Sequence, residues 1–166
     1  NEEQFRQQII LDVAGLMEPG ANTADLFAAI EPRMVELASG DYTDIVDPTT
    51  FDALVAASDP ELGMAIPGEL DIAGIGRRAK YAPVYLVRDG DTIEQLILPV
   101  YGKGLWSTML GYLSLAPDGT TIKGLRFYAH AETPGLGDQI DKEPWRAQWA
   151  GKQVFADGDE PRIRVI

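Results

Sequence analysis

At 166 residues, 45% hydrophobic and 24% charged, the chain has the size and balance of one globular domain with a single buried core. Its formal charge of −12, with no run of basic residues, argues against nucleic acid as a partner, and the absence of cysteine excludes disulfides, thiolate-held zinc, cysteine-held iron–sulfur clusters and thiol catalysis. No apolar stretch approaches the ~20 residues of a spanning helix, and the opening NEEQFRQQII is not a signal-peptide core, so the residues as they stand read as soluble.

Phe5, Ile9, Ile10, Val13, Leu16 and Met17 recur at spacings of three and four, which predicts a first helix running to the EPG at 18–20. Thr23 reads as the N-cap of a short second helix through Leu26, Phe27 and Ile30, stopped by Pro32. RMVELASGDY fits strand or helix. Strand is favoured, because Val35 and Leu37 alternate with Glu36 and the Gly40-Asp41 pair follows. Asp47 before Pro48 makes a cap and first-turn pair for a helix through Phe51, Leu54 and Val55. The turn-rich SDPELGMAIPGELDIAGIGRRAK reads as an irregular insertion.

From Tyr81 the pattern becomes alternating. APVYLVRDGDTIEQLILPVYG predicts two strands joined at Asp89-Gly90. A second hairpin runs from Met109 to Leu115 and from Ile122 to Tyr128, turning at Pro117-Asp118-Gly119. DKEPWRAQWAGKQVF then suggests a short helix with Trp145 and Trp149 on one face and a return strand at Val154. The expected fold is α+β, a mostly antiparallel twisted sheet of hairpins with flanking helices, in one domain spanning 1–166 and without internal repeats.

Several catalytic templates fail. His130 is the only histidine, so a His-based metal cluster is impossible and a Ser-His-Asp site would have to be built around it. Ser107 is flanked by Trp106 and Thr108 and is no nucleophile elbow. AGIGRR and GLG lack the strand, Gly-rich turn and helix context of a nucleotide loop. Asp157 and Asp159 read as a solvated loop rather than as a calcium site. What stands out is ETPGLG, Glu132 to Gly137. Pro134-Gly135 makes a turn, and a second glycine two residues on leaves Leu136 as the one large apolar side chain where backbone can approach a flat ligand closely.

Three blocks in order, YGKGLWSTMLGYLSL, GLRFYAHAETPGLGDQI and PWRAQWAGKQVF, resemble the C subunit of the bacterial Na⁺-translocating NADH:quinone oxidoreductase, densely over Val100 to Phe155. The sister G subunit of the Rnf electron-transport complex shares ETPGLG, while Leu105, Trp106 and Ser107 favour the quinone-reductase subunit. The resemblance implies an electron-transfer flavoprotein subunit, tethered by an N-terminal helix to the bacterial inner membrane with its soluble domain on the periplasmic side and the other subunits as partners. It also implies FMN joined through its phosphate to a threonine of a downstream S-G-A-T-x-T motif. Those features lie outside this sequence. Thr108, Thr120, Thr121 and Thr133 do not follow Ser-Gly-Ala, so the 166 residues read as truncated at both ends and are expected to fold without holding flavin.

For the complete protein the implied cofactor residues are Leu105, Trp106, Ser107, Glu132, Thr133, Gly135, Leu136 and Gly137, with no catalytic residue and no metal. Leu136 would meet the ring face, Gly135 and Gly137 would let backbone approach it, and Leu105 with Trp106 would form the other wall. Alternatives stay open at three of these positions: Trp106 as core, Glu132 as a cap on backbone amides, and Ser107 as a partner at a strand edge. Lys103 could lend a cation near the ring, although most such lysines are solvated, and His130 is assigned to packing. The competing class is a non-catalytic binding or structural module of the same fold.

Overall fold

The computed structural model describes residues 2–72, 74–103, 108–129 and 140–153. Its main sheet has six strands, all antiparallel, in the order β2-β1-β5-β6-β7-β8: β1 Ile30–Glu36, β2 Tyr42–Thr43, β5 Tyr81–Asp89, β6 Thr92–Lys103, β7 Thr108–Leu115 and β8 Ile122–Ala129. A separate ribbon pairs β3 Gly63–Ala65 with β4 Arg77–Ala79. The helices are α1 Glu2–Ala14, α2 Thr23–Phe27, α3 Ala53–Ser58 and α4 Glu143–Arg146, the last continued by a 3₁₀ turn at Ala147–Trp149.

Both expected hairpins form. β5 and β6 are joined across Asp89-Gly90, where Gly90 takes the positive φ of 59° that the tight turn requires. β7 and β8 are joined at 116–121, where the Asp118 carboxylate accepts the Thr120 and Thr121 amides, each at 2.8 Å. Alternation then sorts the side chains. Tyr85, Val87, Ile97 and Tyr112 turn to one face, and α1 covers them with Ile9, Ile10, Leu11 and Val13 in the main core cluster. A second cluster lies beside it on Met34, Phe51, Ala56 and Ala79.

Two buried polar side chains, Gln95 and Ser114, enter this core as a chain. Gln95 donates through Nε2 to the Ala14 carbonyl at 2.9 Å and accepts the Ser114 hydroxyl at 2.6 Å. The trio ties the last residue of α1 to β6 and β7.

The helix ends differ from expectation. α1 stops at Ala14, three residues short of Met17, because Gly15 adopts φ 72° and closes a Schellman motif: Leu16 N donates to Leu11 O at 2.9 Å and Gly15 N to Asp12 O at 3.0 Å. Asn22, rather than Thr23, caps α2, its side-chain oxygen accepting from Ala24 N at 2.8 Å and Asp25 N at 3.3 Å. Ile30 leaves that helix and opens β1, with Pro32 inside the strand opposite Tyr85. The proline is tolerated because β2 reaches only Met34 and Val35, so among the described residues β1 has no outer strand partner there. The buried positions of β1 are Ile30 and Met34, while Leu37, just past its end, is 44% exposed.

Asp47 closes a local turn on Thr49, whose amide it accepts at 2.8 Å and whose hydroxyl it accepts at 2.7 Å. The N-cap of α3 is Asp52, five residues on, bonded to Leu54 N at 3.0 Å and Val55 N at 3.2 Å. Phe51 just before the cap packs in the cluster with Ala56 at the fourth helical position, a hydrophobic staple. The turn-rich insertion contains the β3–β4 ribbon. Trp145 and Trp149 meet with ring centres 5.4 Å apart, and Phe127 lies 6.3 Å from Trp145. Gln153 bridges to Thr121, and the return strand expected at Val154 lies outside the described residues.

Candidate functional site

The sheet brings two of the three resembling blocks to one end. β6 and β7 stay paired as far as Lys103 opposite Thr108, so residues 104–107 join two adjacent strand ends. β8 leaves the sheet at Ala129, paired with Leu110, so residues 130–139 depart from the neighbouring strand at that same end. The expected cofactor residues Leu105, Trp106, Ser107, Glu132, Thr133, Gly135, Leu136 and Gly137, together with His130 and the Lys103 side chain, lie outside the described residues. Their points of attachment are described, and these are neighbours.

Two clefts open at that end. One, of about 330 Å³, is walled by Phe5, Tyr101, Leu110, Tyr112 and Tyr128, with Arg6 at its lining. The other, of about 340 Å³, lies between Ile75, Arg77, Gly102 and Thr108. Leu54 and Tyr101 line both. The register explains the assembly: Tyr101 opposes Leu110 and Pro99 opposes Tyr112, so hairpin pairing alone stacks these side chains on the face that α1 covers.

The aromatic wall is continuous. Tyr112 and Tyr128 stack at 5.4 Å between centres with 23° between planes, Tyr85 meets Tyr112 edge-on at 6.1 Å, and Phe5 meets Tyr128 edge-on at 6.5 Å. The Tyr85 and Tyr112 hydroxyls are hydrogen-bonded to each other, and burial pushes both phenols above their ordinary pKa; it also raises Tyr101. The Arg6 charge opposes the shift at Tyr85 and Tyr112 and is the smaller influence. All three phenols are therefore neutral near pH 7, and one proton of the Tyr85–Tyr112 pair is spent on their mutual hydrogen bond. A broad apolar wall with phenolic donors fits a flat heteroaromatic ring, whose faces need apolar contact and whose edges need hydrogen bonds. At the end of β6 a Cβ added to Gly102 would meet nothing within 4 Å, so backbone is open to approach there.

Of the threonines, Thr108 lines the second cleft, whereas Thr120 and Thr121 lie at the far end of the β7–β8 hairpin, with the Thr121 hydroxyl bonded to Asp118 at 2.7 Å. Tyr101, Tyr112 and Tyr128 lie inside the resembling blocks but outside their turns, and Arg6 lies in none of them, so none of the four stood out in the sequence as a site residue. The pairing of YLSL and LPVY across the hairpin was the available signal.

The segment after residue 139 is also tied down. Asp12 on α1 accepts from Arg126 on β8 at 2.5 Å and from Arg146 on α4 at 3.3 Å, so one carboxylate joins three elements. The Nε atoms of both arginines are buried without a hydrogen-bond partner among the described residues.

Residues 104–163 match the family model for the FMN-binding domain, beginning on the β6–β7 connection and including 130–139. Fold and match together define a domain of the FMN-binding class. The structure superposes on the crystal structure of Shewanella oneidensis NqrC with a TM-score of 0.90 and 35% identity, covering 99% of this chain and 76% of that one. The C subunit of the Na⁺-translocating NADH-quinone reductase of Yersinia pestis is 45% identical over 166 residues, 97% of this chain and 62% of the relative, and that of Pseudomonas aeruginosa is 46% identical over 165 residues, 97% and 63%. The chain belongs to this NqrC family, the one that Leu105, Trp106 and Ser107 favoured over its sister. It spans somewhat less than two thirds of the length of those curated relatives. A 24% identical C subunit of the same reductase from Parabacteroides distasonis, TM-score 0.74, repeats the fold.

Proposed function

We propose that this chain is part of the electron-transfer subunit of a Na⁺-translocating NADH-quinone reductase, which in its complete form holds FMN at the loop end of this sheet and relays electrons between other redox centres without substrate chemistry of its own. The observation that carries this reading is the coincidence of the FMN-binding match with the two segments that leave adjacent strand ends. When bound, FMN supplies reversible one- and two-electron chemistry.

The residues of the chain bind, orient and tune. Leu136 covers one face of the ring, Leu105 and Trp106 the other, and Gly135 and Gly137 let backbone come close. Ser107, Glu132 and Thr133 address the polar edge. Tyr101 and Leu110 extend the apolar wall from β6 and β7. Buried phenols donate hydrogen bonds, and Arg6 favours added negative charge in the cleft. The covalent link belongs to a threonine of an S-G-A-T-x-T segment rather than to Thr108, Thr120, Thr121 or Thr133. In the complete protein an N-terminal helix anchors the domain on the periplasmic side of the inner membrane, beside the other subunits, which complete the path from NADH to ubiquinone.

The test is Leu136→Asp in the full-length, flavin-loaded subunit. A carboxylate against an apolar ring costs several kcal/mol unless it is neutralised or escapes to water. The visible spectrum and flavin midpoint potentials should therefore shift while the unfolding midpoint stays near that of the unmodified protein. Unchanged potentials with a sharply lower unfolding midpoint would assign Leu136 to ordinary core. No response in any of the three would make ETPGLG a solvent-exposed bend and remove the ring contact from this reading.

A further inference from the structure

The stretch 34–80 concentrates two properties that rarely coincide. It holds nine carboxylates against three cations, a net −6, which is half of the chain's −12 in 47 of its 166 residues. It also holds seven of the nine large apolar residues that stand exposed among the described residues, including Ile45, Val55, Leu70 and Ile72.

These apolar residues sit on an organised lobe. Arg77 Nε donates to Ala57 O at 2.8 Å, and Lys80 N to Leu62 O at 2.7 Å, fastening the β3–β4 ribbon to α3. Gly63 packs so closely that an added Cβ would lie 2.3 Å from Ala57 O. The Asp71 carboxylate accepts Ile75 N at 2.7 Å and Gly76 N at 2.8 Å, and Leu70 N and Asp71 N both donate to Pro67 O. On that backbone Leu70 is 71% exposed and Ile72 is 97% exposed. Two large apolar side chains held out from an organised turn, two residues apart, offer a surface that another molecule can cover.

Charge decides which molecule. An anionic lipid surface would be repelled by a lobe of net −6, and a second copy would bring the same charge against itself. The complement is a protein with an apolar socket rimmed by lysine and arginine. We propose that the 34–80 lobe is the docking surface for such a partner, with Leu70 and Ile72 entering the socket and the carboxylates meeting its basic rim. Leu54, on the same lobe, lines both clefts, so docking here sets the partner beside the loop end of the sheet. The proposal is independent of the flavin reading, since the lobe lies wholly outside the 104–163 match.

A photo-crosslinking residue in place of Ile72, in the full-length protein within its native membranes, tests it. The expected result is an adduct with one other polypeptide of the same complex, at a contact flanked by lysine or arginine. Its yield should fall in high potassium chloride, and by about tenfold when Leu70→Asp is added, as for the loss of one buried apolar side chain. The unfolding midpoint of Leu70→Asp should equal that of the unmodified protein. An adduct with lipid, an adduct with a second copy of this chain, or no adduct from an intact complex would each overturn the proposal. So would a Leu70→Asp protein whose lost cross-linking is matched by a lowered unfolding midpoint.

Discussion

The Gln95–Ser114 pair offers a quantitative test of what holds α1 on the sheet. Both residues are buried, 7% and 0% exposed, and their amide and hydroxyl form the chain that ends on the Ala14 carbonyl. Gln95→Leu keeps the bulk but leaves that carbonyl and the Ser114 hydroxyl without partners. At about 1–3 kcal/mol for each of the two orphaned groups, the loss should be about 2–6 kcal/mol. Ser114→Ala orphans one lone-pair site on Gln95 and should cost about 1–2 kcal/mol. The double variant should cost no more than Gln95→Leu alone, because the bond between the two side chains can be lost only once and the stranded hydroxyl is gone. The cycle therefore predicts a coupling of about 1–2 kcal/mol. Urea unfolding with linear extrapolation measures it, and unchanged slopes would assign the effect to stability rather than to a different unfolded state. Costs that add within about 0.5 kcal/mol, or a Gln95→Leu protein more stable than the original, would refute the reasoning.

Gly111→Ala should lower stability by about 1–3 kcal/mol, since its Cβ would lie 2.6 Å from Arg126 O and 2.9 Å from Phe127 Cδ1. Gly102→Ala, with nothing within 4 Å, is the control, and equal unfolding midpoints for the two would defeat the packing argument. The phenols of Tyr85, Tyr101 and Tyr112 are raised, so above about pH 10 the unfolded chain loses protons that the folded chain keeps. Their contribution to stability is thus complete below pH 10 and declines above it. Spectroscopic titration should show these tyrosines ionising only above the usual range, or on unfolding. Asp12→Asn should release α4 at a cost of about 1–2 kcal/mol, discounted for partial exposure, and hydrogen exchange should speed in 143–149 more than in β5–β6.

The strands were legible because their signals are local and redundant. Asp89-Gly90 and Pro117-Asp118-Gly119 each name a turn, and alternation on both sides fixes the register. The helix ends were less legible because one residue type does two jobs. Asp47 and Asp52 are equally good caps by composition, and only the packing of Phe51 on Ala56 decides where α3 begins. Pro32 reads as a helix stop until the sheet shows it on a strand with one side open. For the site, the family resemblance supplied Leu105 to Ser107 and Glu132 to Gly137, which share short motifs. Tyr101, Tyr112, Tyr128 and Arg6 come from four separate elements or segments, and only folding gives them a common wall.

The sheet has two edges, and each is interrupted. At the far side Gln153 bridges Thr121 and the Ile122 amide donates to Lys152 O at 2.7 Å, covering the start of β8. At the near side β2 covers two residues of β1, and along the remaining open stretch Pro32 offers no amide hydrogen. A stray strand trying to extend β1 would find a broken row of donors and could not zip along it. A proline at this position guards the folded domain against the self-templated aggregation that a clean edge invites.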